Sequence, residues 1–180
     1  LEVLNGRLAL EKERRAPEAS RIRTQDLELL NNNLEWVNRL GSIVNASLDW
    51  NQIAHSLFDE LKTRIPLDSF GIARCPGEQV TLEEYVRVEA TGIATVPSRD
   101  CPRICTLVRQ ASSDRVPHQV QDNEGSLLAI PLILFDEVIA VMFAEKNRGE
   151  RFDETHLSML EAVAPVVAAS FKNAESFTAL

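Results

Sequence analysis

Ser126-Leu127-Leu128-Ala129-Ile130-Pro131-Leu132-Ile133-Leu134-Phe135, then Asp136-Glu137, then Val138-Ile139-Ala140-Val141-Met142-Phe143, is the stretch on which the fold turns. Two apolar runs of strand length flank a polar pair, which predicts a hairpin with its tight turn at Asp136-Glu137. Neither run alternates polar with apolar residues, so both faces of this hairpin should be covered. Each run is far shorter than the roughly 18 to 20 apolar residues that a membrane crossing needs.

Downstream, Asp153 is placed to cap a helix, with Phe152 before it and Leu157 four positions inside as a hydrophobic staple. Leu157, Leu160, Ala164, Val167, Phe171 and Ala174 continue at three-and-four spacing, the signature of one buried helical face. Pro165 lacks a backbone donor and should kink this helix.

Upstream lies a long insert, residues 91–125, whose Pro, Ser and Gly content reads as irregular around one helical run. Pro102 suits a first helical position, which makes Cys101 the N-cap and Ile104, Leu107 and Val108 the buried face. A short strand is expected over Pro117–Val120. Before the insert, Phe70–Cys75, a Pro76-Gly77 turn and Thr81–Val88 read as an antiparallel hairpin. Ile53, Leu57, Leu61 and Ile65 form a helical stripe, capped by Asp49 or Asn51 and ended by Pro66. His55 and Glu60 point away from it.

Residues 20–47 are strongly helical in pattern. Leu27, Leu34, Gly41 and Leu48, then Leu30, Val37 and Val44, then Ile22, Leu29, Trp36 and Ile43 each recur every seventh residue, with Leu40 between them. These rows cover an arc of roughly 200°, about twice what one core contact requires. The second half of that arc predicts a parallel dimer through the Leu27–Leu48 helix and the final helix. Residues 1–23 carry six basic residues against four acidic ones, with Pro17 as a break, and read as a charged helical linker. The predicted organisation is therefore a linker at 1–23, a dimerisation and signalling helix at 24–48, and a domain at 49–180.

The 180 residues hold 44% apolar residues and a net charge of −8. That is enough for a buried core, and the acidic balance disfavours nucleic acid as a partner. Three cysteines and no leader-like start point to a reducing compartment: cytoplasmic, or the cytoplasmic part of a membrane-anchored protein. The first residue is Leu, which suggests a piece of a longer chain. No phosphate-binding glycine loop, HExxH, GxSxG or CxxC is present, so no catalytic residue, metal ligand or cofactor is assigned.

The order helix, helix, hairpin, insert, apolar hairpin, helix resembles a GAF domain over about residues 45–177. The stretches Ser126–Leu132 and Val138–Met142, then Asn147, Phe152 and Leu157 to Asn173-Ala174-Glu175, carry the resemblance. It implies an α+β fold with a central six-stranded antiparallel sheet, helices on both faces, and a long N-terminal helix before it. It also implies a non-enzymatic sensory or regulatory module whose insert roofs a small-molecule pocket. The chain departs from the cyclic-nucleotide-binding members, because Asp153-Glu154 follows Phe152 directly and the spaced acidic position is His156. It lacks the Cys-His pair of bilin carriers, since Cys101 precedes Pro102 and Cys105 precedes Thr106. The sulfoxide-reducing members use cysteine spacings that Cys75, Cys101 and Cys105 do not reproduce.

For the pocket, the expected residues are Tyr85, Arg87, Arg103, Thr106, Arg109 and His118, and the arginines imply an anionic ligand. Cys101 and Cys105 form a redox candidate, because a helix N-terminus favours thiolate. Partners implied are a small molecule, a second copy of the chain and an output domain after Leu180. Two other readings are a dimerisation spacer without ligand and a thiol-dependent free methionine sulfoxide reductase.

Overall fold

The computed structural model describes residues 31–47, 49–74, 84–97 and 101–178, with Thr24 and Glu28. The expected linker at 1–23, Leu27, Leu29, Leu30, Leu48, Cys75 and the Pro76-Gly77 turn lie outside the described residues. The chain divides into two compact units, Leu1–Asn38 and Arg39–Leu180.

Helix α1 runs over residues 31–44. Asn31, Glu35, Asn38 and Ser42 face solvent as their polar row predicts, while Leu40 and Val44 are fully buried. Leu34, on the other side of the apolar arc, stays 55% exposed. Asp49 caps α2 (Trp50–Lys62) by accepting the Asn51 N–H at 2.9 Å, which satisfies one donor of the open first turn. Ile53, Leu57, Leu61 and Ile65 are all buried. His55 is exposed and pairs with Asp59. Glu60, expected in solvent, is instead 8% exposed and meets Arg39 at 3.2 Å; a carboxylate this buried requires such a partner.

Six strands follow: β1 (Ser69–Arg74), β2 (Glu84–Glu89), β3 (Gly92–Pro97), β4 (His118–Asp122), β5 (Gly125–Leu134) and β6 (Glu137–Lys146), with α3 (Pro102–Asp114) between β3 and β4 and α4 (Glu154–Thr178) last. They form one antiparallel sheet in the order β3-β2-β1-β6-β5-β4. Strand β3 corrects the reading of 91–125 as irregular. Glu89 pairs with Gly92 across the two residues Ala90 and Thr91, and Gly92 takes φ 141°, a conformation that side chains avoid. Ile93, Thr95 and Val96 then supply the β-branched residues a strand favours.

All eight residues Gly125–Leu132 are buried, which explains the lack of alternation in the decisive hairpin. Its turn falls one residue earlier than expected, at Phe135 (φ 48°) and Asp136 (φ 69°). Two consecutive positive φ values match the twist of the strands, and Arg115 at the end of α3 donates to the Asp136 carbonyl and to its carboxylate.

Period-two alternation divides the sheet into two covered faces. Phe70, Ile72, Val88, Leu128, Ile130, Met142 and Ala144 are buried on one, the side of α2 and α4. On the other, Ala73, Leu127, Ala129, Val141 and Phe143 pack with Ile104, Cys105, Leu107, Val108 and Ala111 of α3. A Cβ at Gly71 would run into the Phe143 ring and the Val86 carbonyl, so glycine there lets the aromatic ring lie on the sheet. In α4, Leu160, Ala164, Val167, Phe171 and Ala174 are buried as their spacing predicts, and the helix continues through Pro165.

Candidate functional site

Pro102 opens α3 and Cys101 is its N-cap, as expected, though the thiol makes no capping hydrogen bond. The helix covers the β4, β5 and β6 side of its sheet face and leaves the β2–β3 side to a charged cluster. Ser69 and Glu89 are register partners, and Ser69 is also the partner of Glu145, so the three side chains emerge in one row on this face.

Glu145 is the centre of the cluster. It is 16% exposed at the side chain, accepts from the Ser69 hydroxyl and forms an ion pair with Arg87 Nη2 at 2.8 Å. Arg103 Nη1 approaches its other oxygen at 3.8 Å. Arg87 also holds Glu89 at 3.0 Å. Arg103, in the first turn of α3, donates to Asp122 at 2.8 Å and to the Gly125 carbonyl at 2.9 Å. The Asp122 carboxyl lies below its usual range because the Glu124 N–H donates to it and, secondarily, because of Arg103. One carboxylate thus links two arginines from elements distant in sequence, β2 and α3. Beside it, Arg87, Glu89, Thr91, Gly92, Ile93, Ala94 and Val96 line a cavity of about 230 Å³.

Of the six residues singled out from sequence, Arg87 and Arg103 converge on one carboxylate, Glu145. Tyr85 shares the register row of Ala73 and Val96, while its side chain lies outside the described residues. Thr106 is exposed and donates to the Pro102 carbonyl, the usual local bond of a helical threonine. Arg109 is exposed. His118 sits on β4, four strands from β2, and contacts Asp114 at 2.8 Å. Strand spacing alone puts it about 19 Å from the Arg87 position. Sequence reading missed Glu145, Glu89, Ser69 and Asp122. A signal existed for one: Glu145 follows Val141 and Phe143 at period two, a charge placed on the inward face of an apolar strand.

The two described cysteines differ in setting. Cys105 is 5% exposed, and burial raises its thiol above the ordinary value, with Arg109 acting in the opposite direction. Cys101 is half-buried at the start of the helix. Among the described residues no helix is long and apolar enough to cross a membrane, and no group of three or more His, Cys, Asp or Glu could hold a metal.

The fold matches solved structures across most of its length. The GAF domain of Acinetobacter phosphoenolpyruvate-protein phosphotransferase superposes with a TM-score of 0.61 at 12% identity, covering 81% of this chain and 96% of that one. The GAF domain of a phosphoenolpyruvate-protein phosphotransferase from Coxiella burnetii gives 0.59 at 17% identity, with 83% and 98% covered. Free methionine-R-sulfoxide reductase from Neisseria meningitidis, in complex with its substrate, gives 0.59 at 18% identity, with 80% and 90% covered. At these identities the likeness is one of fold. No curated protein matches the sequence. The GAF domain family model matches residues 83–173, a segment that spans β2 to α4 and just over half of the chain. Sheet order, the helix-covered faces and this match together make the chain a member of the GAF domain family.

Proposed function

We propose that this GAF domain is a non-enzymatic sensory or regulatory module that binds a small ligand on the α3 face and passes its state to the terminal helices. The observation that carries the reading is the Arg87–Glu145–Arg103 cluster beside the 230 Å³ cavity. A half-buried carboxylate shared by arginines from two elements is a contact that a ligand can exchange. An anionic ligand would replace Glu145 on Arg87 and free α3 to shift against β6. In the same reading, residues 24–48 and α4 form a parallel dimer, residues 1–23 are a linker, and an output domain follows Leu180 in a cytoplasmic signalling protein. Leu34, with its large exposed surface, is the described residue most suited to that dimer contact.

The test is a thermal-shift screen with small carboxylates and phosphates, because any binder of the folded state raises the melting temperature. A binder whose affinity survives in both Arg87→Gln and Arg103→Gln would sink the reading. One observation favours a dimerisation spacer without ligand: both arginines are already neutralised by the chain's own carboxylates. A screen without any binder, with a dimer in sedimentation, would select it. The thiol-reductase reading has less support, because a catalytic thiol needs accessibility and thiolate character and Cys105 is buried.

A further inference from the structure

The junction between β6 and α4 holds a titratable group outside the ligand cluster. Lys146, the last residue of β6, is 4% exposed. Its Nζ donates to the Arg151 carbonyl at 2.9 Å, lies 4.8 Å from the centre of the Phe152 ring and is 3.5 Å from His156 Nδ1. His156 is the third residue of α4 and closes a capping box with Asp153. Its N–H donates to Asp153 Oδ1 at 2.8 Å, and its Nδ1 accepts the Asp153 N–H at 3.3 Å. The Asp153 N–H donating to Nδ1, with the Lys146 ammonium 3.5 Å from the same nitrogen, favours the neutral ring with its hydrogen on Nε2.

We propose that protonation of His156 is a pH-sensitive release for the first turn of α4. The imidazolium loses the Nδ1 acceptor, which strands the Asp153 N–H and one Lys146 donor. It also places a second positive charge 3.5 Å from a buried ammonium. Asp153 opposes this, with Oδ1 2.9 Å from Nδ1 and a second lone pair on that oxygen beside the one that takes the His156 N–H, so release requires the lost Nδ1 acceptor and the Lys146 repulsion to outweigh that ion pair.

The other charged groups at the junction are Glu150 in the loop and Asp68 before β1, and Asp68 is engaged by both Asn147 nitrogens. Strands β4 and β5 contribute uncharged Gln119 and Ser126, which bond to the Phe152 and Glu150 carbonyls. Burial first, and Lys146 second, hold the His156 pKa below its ordinary value, while Asp153 acts the other way. The sign follows. The neutral ring belongs to the folded state, so its contribution is complete above about pH 6.5 and is lost as pH falls from there through the depressed folded value. Because α4 is the last element of the domain, loosening its first turn changes the helix that would carry a signal onward.

The test is nitrogen NMR of the His156 ring together with amide hydrogen exchange at pH 7.5 and pH 5, corrected for intrinsic exchange. The wild type should show an unprotonated Nδ1 at pH 7.5. Protection of the Asp153, His156 and Leu157 amides, relative to β5, should fall about threefold to tenfold at pH 5. His156→Gln keeps a side-chain acceptor at the capping-box position and should remove the pH dependence. Lys146→Met should raise the ring's titration midpoint. A protonated Nδ1 at pH 7.5, or equal loss of protection in wild type and His156→Gln, would overturn the proposal.

Discussion

Replacing Glu145 with alanine tests whether the charged cluster also holds the sheet to α3. The substitution removes the acceptor for the Ser69 hydroxyl and the ion-pair partner of Arg87 Nη2, and it leaves a guanidinium that is only 28% exposed with Glu89 as its remaining carboxylate. A hydrogen bond to a charged group is worth about 1.5 to 3 kcal/mol when its partner is left buried, and a solvent-exposed ion pair is worth at most about 1. Glu145 lies between these limits. Arg103 at 3.8 Å adds little, because Asp122 and Gly125 keep it satisfied. The expected loss is therefore about 2 kcal/mol, or roughly 4 to 8 °C in melting temperature for a chain of this size. Glu145→Gln keeps an acceptor but no charge and should cost about half as much. Urea unfolding followed by circular dichroism measures both, and the alanine effect should shrink in an Arg87→Ala background, since the two residues share one interaction. If both variants unfold within about 0.5 kcal/mol of wild type, the cluster is a surface feature and the argument fails.

Gly71→Ala should cost about 1 to 3 kcal/mol by overpacking against the Phe143 ring and the Val86 carbonyl, read as a lower urea midpoint; an unchanged midpoint would mean that both the ring and the β2 backbone yield freely. Phe135→Asn should stabilise by about 0.5 to 1 kcal/mol, because the turn demands a positive φ and Phe135 is 92% exposed, with no packing to lose; a lower melting temperature would show that the aromatic ring has a contact of its own. Alkylation of the folded protein at neutral pH should modify Cys101 faster than Cys105, whose burial disfavours thiolate; equal rates would contradict the packing of α3. Val44→Asp should unfold the domain rather than merely split a dimer, since Val44 is already buried within the chain; a folded monomer in sedimentation and circular dichroism would refute that.

The sequence by itself determined what depends on local spacing. Pro102 and Asp153 mark helix starts, and Asp49 or Asn51 a third, because a cap is a contact over two or three residues, and the unbroken apolar run of β5 declares a strand covered on both faces. Leu160 to Ala174 declared the buried side of α4 in the same way. Strand β3 escaped because its residues Gly92–Pro97 sit in a stretch whose Pro, Ser and Gly content reads as loop, and pairing with β2 is what makes it a strand. The reach of the helical arc was legible, but which part of it packs at home was not: Leu40 and Val44 are buried while Leu34 is exposed, a choice made by the partner surface. The candidate site depended most on tertiary structure. Arginines at 87 and 103 stand out in a list of residues, yet nothing local says that Glu145, on a third element, pairs with the first and lies within 4 Å of the second. Charge pairs form across the sheet by register and layer packing, and those are properties of the folded chain.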